Sequence, residues 1–296
     1  MRFLPGAFLL LLAAGCHSAA PTAPIVTADE FSRPVRVRVL GYGGNLMEPF
    51  ISRDGRTLLF NNLNAAPENT NLHWATTIND STFRYEGEIS GVNTPDLEGV
   101  PTLDAAGNLY FVSTRDYAAT LATVYGSRFS AGTASGVGIV SGISKKQAGW
   151  VNFDVEVSAD GQTLYFVDAK FNPGGTPETA DLVVAQRTAT GFERLPNSDA
   201  LLKNINATDG LEYAAGISAD QLTLYFTRVA APLGPGSVPE ILVATRSAVT
   251  EAFGSPRKIS SISGFAEGPT VAPDQKTIYF HLKENGKFML YFTRKK

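Results

Sequence analysis

The chain has 296 residues, 10% of them aromatic and 18% charged, with a formal net charge of −3 and a single cysteine. That length suits one large all-β domain. The mild acidity is no nucleic-acid footprint, and no run of 18 apolar residues exists to cross a bilayer as a helix.

Residues 1–15 read as an export signal: Arg2 supplies the charge, Phe3 to Leu12 the apolar core, and Ala13-Ala14-Gly15 the small residues. Small residues directly before Cys16 resemble the processing site of bacterial lipoproteins, although Ala13 stands where that pattern usually has Leu. The resemblance implies cleavage before Cys16, its acylation and a membrane anchor. An unpaired cysteine in an exported protein otherwise needs its own explanation. His17 rather than Asp follows Cys16, which points to the outer membrane, facing the periplasm or the cell surface. Residues 16–33, rich in Ala, Pro, Ser and Thr, are expected to form a flexible tether ahead of a domain at 34–296.

Residues 34–41 alternate, with Val35, Val37 and Val39 on one face. This strand precedes a motif that recurs five times: Glu48 to Phe60, Glu98 to Phe111, Asp154 to Phe166, Glu212 to Phe226 and Glu267 to Phe280. Each copy reads strand, turn, strand. Asp54-Gly55, Asp160-Gly161 and Ala106-Gly107-Asn108 supply turn chemistry; Asp220-Gln221 and Asp274-Gln275 keep the Asp and lose the Gly. A third strand follows, such as Asp181 to Arg187 or Glu240 to Arg246, and then a weaker fourth such as Phe192 to Leu195 or Phe253 to Ile259. Four strands repeated every 50 to 60 residues are the pattern of a β-propeller blade.

The Glu/Asp-x-Pro-x-x-Ser-x-Asp-Gly-x-x-Leu-Tyr-Phe pattern resembles the TolB-like, WD-like propeller repeats of bacterial envelope proteins, over roughly residues 34–294. The last copy runs out after three strands. The strand at 34–41 is therefore expected to complete it and close a five-bladed ring without open edges. Six blades would require another unit within Thr114 to Trp150, which is short for one. Gly-rich Ser130 to Ser144 lacks the context of a phosphate loop and reads as a bulged outer strand. Two Pro-rich insertions, Asn172 to Pro177 and Ala230 to Pro239, read as hairpins between second and third strands and as candidate binding loops.

One acid opens each repeat: Glu48, Glu98, Asp154, Glu212 and Glu267, with Glu156 two residues beyond Asp154. In propellers of this kind the first strand lines the axial channel. Carboxylates there could hold a cation, structural calcium being the candidate, or act as acid and base on a glycoside. The plainer expectation is that each caps backbone or pairs with an Arg of the adjoining blade. Asp54, Asp160, Asp220 and Asp274 read as turn residues, and Arg187, Arg246 and Arg294 as inter-blade partners. His17, His73 and His281 are scattered and show no zinc spacing; no Gly-x-Ser-x-Gly elbow is present. Trp150 is a candidate for stacking on a sugar. The expectation is a lipid-anchored binding module for a protein or glycan, without cofactor and without nucleic acid; the alternative is a glycan-active hydrolase. Channel carboxylates in an open cleft flanked by aromatics would favour the hydrolase, and carboxylates buried against Arg or amides the scaffold.

Overall fold

In the computed structural model, residues 30–64 and 70–296 are described. Cys16, the export signal and the tether up to residue 29 lie outside them. The fold is all-β: five small sheets in a ring form a five-bladed propeller. The segment from Thr114 to Trp150 holds the outer strands of the second blade, Val124–Ser130 and Thr133–Ile139, the latter bulged between Ser135 and Gly138.

The closing phenylalanines explain why the repeat was legible. Phe60, Phe111, Phe166, Phe226 and Phe280 are all fully buried at 0% exposure, on the second strand of their blades. Each removes an aromatic side chain from water, worth about 1.5–3 kcal/mol. The turns before them are built from side chains. Ser52 Oγ donates to Asp54 Oδ1 at 2.6 Å, Asp54 accepts from the Arg56 amide at 3.0 Å, and Ser52 Oγ accepts from the Thr57 amide at 2.9 Å. The same three bonds recur around Asp160 and around Asp220. Gly55 and Gly161 hold φ of +72° there; in the last two blades Gln221 and Gln275 take that conformation instead, at +59° and +58°.

The arginines that end third strands reach the preceding or following blade, mostly onto hydroxyls. Arg187 donates to the Tyr110 hydroxyl, Arg246 to the Tyr165 hydroxyl at 2.9 Å, and Arg294 to Asp80 at 2.8 Å. The Tyr before the closing Phe is the receptor for two of the three, and Arg187 also lies 3.9 Å from the buried Asp104 of the preceding blade.

The N-terminal strand completes the last blade as expected, and its continuation goes on to a second blade. The N-terminal segment divides. Val35–Arg36 pairs antiparallel with Lys287–Arg294 as the fourth strand of the last blade. Arg38–Leu40 pairs parallel with Thr82–Glu88, as a fifth strand on the first blade. The seam decides it: Val37 and Val39 enter a core shared by both blades, with Leu58, Phe60, Tyr279 and Leu290, while Val35 stays 46% exposed. Phe31 is also docked, buried against Tyr225 with ring centroids 6.3 Å apart, and the Ser32 amide donates to Arg294 O at 2.8 Å. Phe31 and Ser32, expected in the tether, are therefore docked on the ring.

Candidate functional site

The five acids are not equivalent in the structure. The proper ruler is the turn that follows, closed by the amides of Gly55, Gly107, Gly161, Gln221 and Gln275 onto the carbonyls of Ser52, Asp104, Ser158, Ser218 and Ala272. Four residues before those carbonyls lie Glu48, Val100, Asp154, Ala214 and Gly268. In four blades this position opens a bulge, two residues facing one closing Phe, with φ of +44° at Glu48, +53° at Val100, +51° at Ala214 and +67° at Gly268. In the third blade the innermost strand breaks instead, between Trp150–Val151 and Val155–Val157, and Asp154 sits in the break. Glu48 and Asp154 thus share a position; Glu267 lies one residue earlier, and Glu98 and Glu212 two earlier.

Position sets the partner. Glu98, with no exposed surface, accepts from Arg115 at 3.1 Å, Ser113 at 2.8 Å, and the Thr94 amide and hydroxyl at 2.7 Å each. Glu212 accepts from Arg228 at 2.6 Å and the Ala207 amide at 3.1 Å. Both arginines come from the same blade as the acid, not from the adjoining one. Glu156 does reach another blade: it accepts from Arg53 at 2.9 Å and from Thr102 at 2.6 Å, and burial raises its pKa against the pull of Arg53. These three acids are satisfied structural groups.

Among the described residues no guanidinium pairs with Glu48, Asp154 or Glu267. Asp154 is 3% exposed, and its Oδ1 has no hydrogen-bond partner. Burial, then the neighbouring charge of Glu48, push its pKa well above the carboxylate range, opposed by the Ala214 amide. Glu48 is raised too, by burial first; His281 opposes this, Glu267 reinforces it, and the Asn64 amide donating to Oε1 at 2.8 Å opposes it. Glu267 accepts on both oxygens, from the Tyr213 hydroxyl and from His281 Nε2 at 3.2 Å. The Glu48 amide donates to His281 Nδ1 at 3.1 Å, which fixes the proton of the neutral ring on Nε2. Burial lowers the pKa of this imidazole, and Glu48 and Glu267 raise it past the ordinary value. The positive φ of Glu48 is what aims that amide, a strained backbone serving a polar network. Gly268 is required beside it: a Cβ there would stand 2.7 Å from Glu48 Oε2 and 3.0 Å from His281 Nδ1.

These three carboxylates line a cavity of about 820 Å³. Its walls are apolar and aromatic, including Phe153, Phe171, Tyr213 and Phe265, and both Pro-rich hairpins contribute, through Gly175 and Pro177 and through Leu233, Ser237 and Pro239. Phe153 meets Phe171 edge-on with centroids 6.0 Å apart and Tyr213 at 5.7 Å. Trp150 is not among the lining residues; Lys145 Nζ sits 3.3 Å from its ring centroid. Among the described residues no group of three or more His, Cys, Asp or Glu is arranged to hold a metal ion, so the candidate calcium site finds no cradle there.

Sequence reasoning passed over Tyr213, His281 and Asn64. Aligning on the turn would have exposed the shared position of Glu48 and Asp154. His281 directly follows a closing Phe and pairs in register with Glu267, a relation readable from the repeat.

No family model matches the chain, and no curated protein matches it. Solved structures do. One described as a glycoside hydrolase is 12% identical with a TM-score of 0.59, covering 90% of this chain and 93% of that one. A family 117 glycoside hydrolase from the marine bacterium Zobellia galactanivorans is 13% identical with a TM-score of 0.53, covering 90% of each. TolB from Acinetobacter baumannii is 12% identical with a TM-score of 0.46, covering 86% of this chain and 56% of that one. At such identities the likeness is one of fold: the chain shares its propeller with glycoside hydrolases.

Proposed function

We propose that the funnel binds and hydrolyses a glycoside. The observation that carries this reading is the separation of roles among neighbouring acids: Asp154 is pushed towards its protonated form, with a free Oδ1, beside a Glu267 that accepts hydrogen bonds on both oxygens. A carboxyl pushed towards its protonated form beside one that accepts hydrogen bonds is the pairing that glycoside hydrolysis uses as acid and base. Asp154 gives its proton to the leaving oxygen as the C–O bond breaks. Glu267 takes a proton from the water that attacks the anomeric carbon. Glu48, held by Asn64, stands beside Asp154 and helps to raise its pKa. Phe153, Phe171 and Tyr213 offer apolar faces to a sugar ring. The glycoside hydrolases sharing the fold at TM-scores above 0.5 support the reading by analogy alone.

A second reading is a glycan-binding module using the same funnel. It is favoured by Glu267, whose oxygens are both engaged. One experiment separates the two. Wild type, Asp154→Asn and Glu267→Gln are assayed on a panel of aryl glycosides and polysaccharides, with Tm followed in parallel. The hydrolase reading expects turnover in wild type and a loss of roughly 10²–10⁴-fold in kcat in both variants at retained Tm. Glycan binding without turnover in wild type would select the binding module.

A further inference from the structure

The funnel holds an acceptor that its own walls do not satisfy. Three carboxylates line it, yet no Lys, Arg or His is among its described lining residues. The guanidinium groups of Arg115 and Arg228 are tied to Glu98 and Glu212, and both ring nitrogens of His281 are engaged, by the Glu48 amide and by Glu267. Asp154, buried and on the wall, presents an Oδ1 that no protein donor satisfies; buried polar atoms left without a partner are rare and point to a missing one. Around these acids stand Phe153, Phe171, Tyr213 and Phe265, whose ring faces attract a cation. A metal ion is not the answer, since the acids and His281 do not form a metal cradle.

We propose that the group seated among Glu48, Asp154 and Glu267 is a protonated amine on an otherwise uncharged body. Resting on the glycoside reading above, this names the substrate class: a sugar with a free amine, preferred over its neutral, N-acetylated or acidic counterparts. The ammonium donates to Asp154 Oδ1, the oxygen that does not carry the acid's proton, while the sugar ring or aglycone lies on the aromatic walls.

The test uses probes that do not depend on sugar stereochemistry. Benzylammonium, benzyl alcohol and benzoate are titrated into the full chain at pH 7 by calorimetry, followed by glucosamine against glucose, N-acetylglucosamine and glucuronic acid. Benzylammonium is expected to bind about tenfold more tightly than the alcohol, the usual margin of a charge-assisted bond, with benzoate weakest. Asp154→Asn is expected to abolish that margin while keeping alcohol binding, and Glu267→Gln serves as the second variant should the first not fold. Equal affinity for alcohol and ammonium, a margin that survives both variants, or no binding by any probe overturns the proposal. Turnover of neutral glycosides without an ammonium margin overturns this inference and leaves the hydrolase reading standing. An ammonium margin without turnover does the reverse.

Discussion

Glu98 on an innermost strand and Asp154 in the break of another are both buried, and removing charge should affect them in opposite ways. Glu98 shares its buried pocket with Arg115. Arg115→Ala leaves that carboxylate uncompensated, an event that costs about 3–5 kcal/mol. Asp154 has no such partner, so Asp154→Asn removes a charge that burial and Glu48 already oppose, and stability at neutral pH is expected to rise. The sign follows from linkage. The unfolded chain loses this proton near pH ~3.9, whereas the native state, with its raised pKa, keeps it. The native state therefore binds more protons above that pH, and the acid's contribution falls as pH rises towards the native pKa. Urea denaturation of wild type and Asp154→Asn from pH 4 to 8 should show nearly equal stabilities at the acid end and a widening advantage for the variant above it. A gap independent of pH would rule out a raised Asp154. Asp220 and Asp274 have lowered pKa values and act in the opposite direction, but they are common to both proteins and cancel.

At the scale of the element, the N-terminal segment does two jobs with few residues. Phe31, Val37 and Val39 each bury a side chain against blades that are far away in sequence, and Val35–Arg36 covers the edge of Lys287–Arg294. Deleting residues 1–40 removes those three side chains, at about 1.5–3 kcal/mol each, and bares two strand edges. The expected outcome is a Tm lowered by well over 10 °C, or loss of cooperative unfolding, read by circular dichroism and calorimetry. An unchanged transition would mean that the ring closes without this seam. The alternation at 34–41 announced a strand but not its division. Burial of Val37 between two sheets is decided by a neighbour more than 200 residues later, Leu290, which local periodicity does not contain.

Over the whole molecule, what repeats was legible and what breaks the repeat was not. Five closing phenylalanines and five turns specify five blades because each blade solves the same packing problem. The site arises from departures: an acid at the bulge in the first blade, a broken strand in the third, an acid followed by glycine in the fifth, and arginines absent beside these three acids. Counting back to the nearest acid concealed those shifts, since offsets of one or two residues decide which way a strand side chain points. The two Pro-rich insertions are the other departure, and their role in the ring is testable. Both reach the cavity, and on one of them Leu233 and Val238 are 38% and 50% exposed. Leu233 is an apolar group held over the funnel rather than packed in a core. Replacing residues 230–238 with Asn-Gly joins the second and third strands of the fourth blade by a two-residue turn. Because these side chains contribute little to the fold, stability should move by no more than about 0.5 kcal/mol. Affinity for an apolar probe such as benzyl alcohol should fall several-fold, as the wall that shields it from water is lost. Unaltered affinity would place the hairpin outside the binding surface. A large loss of stability would show instead that it braces the blade.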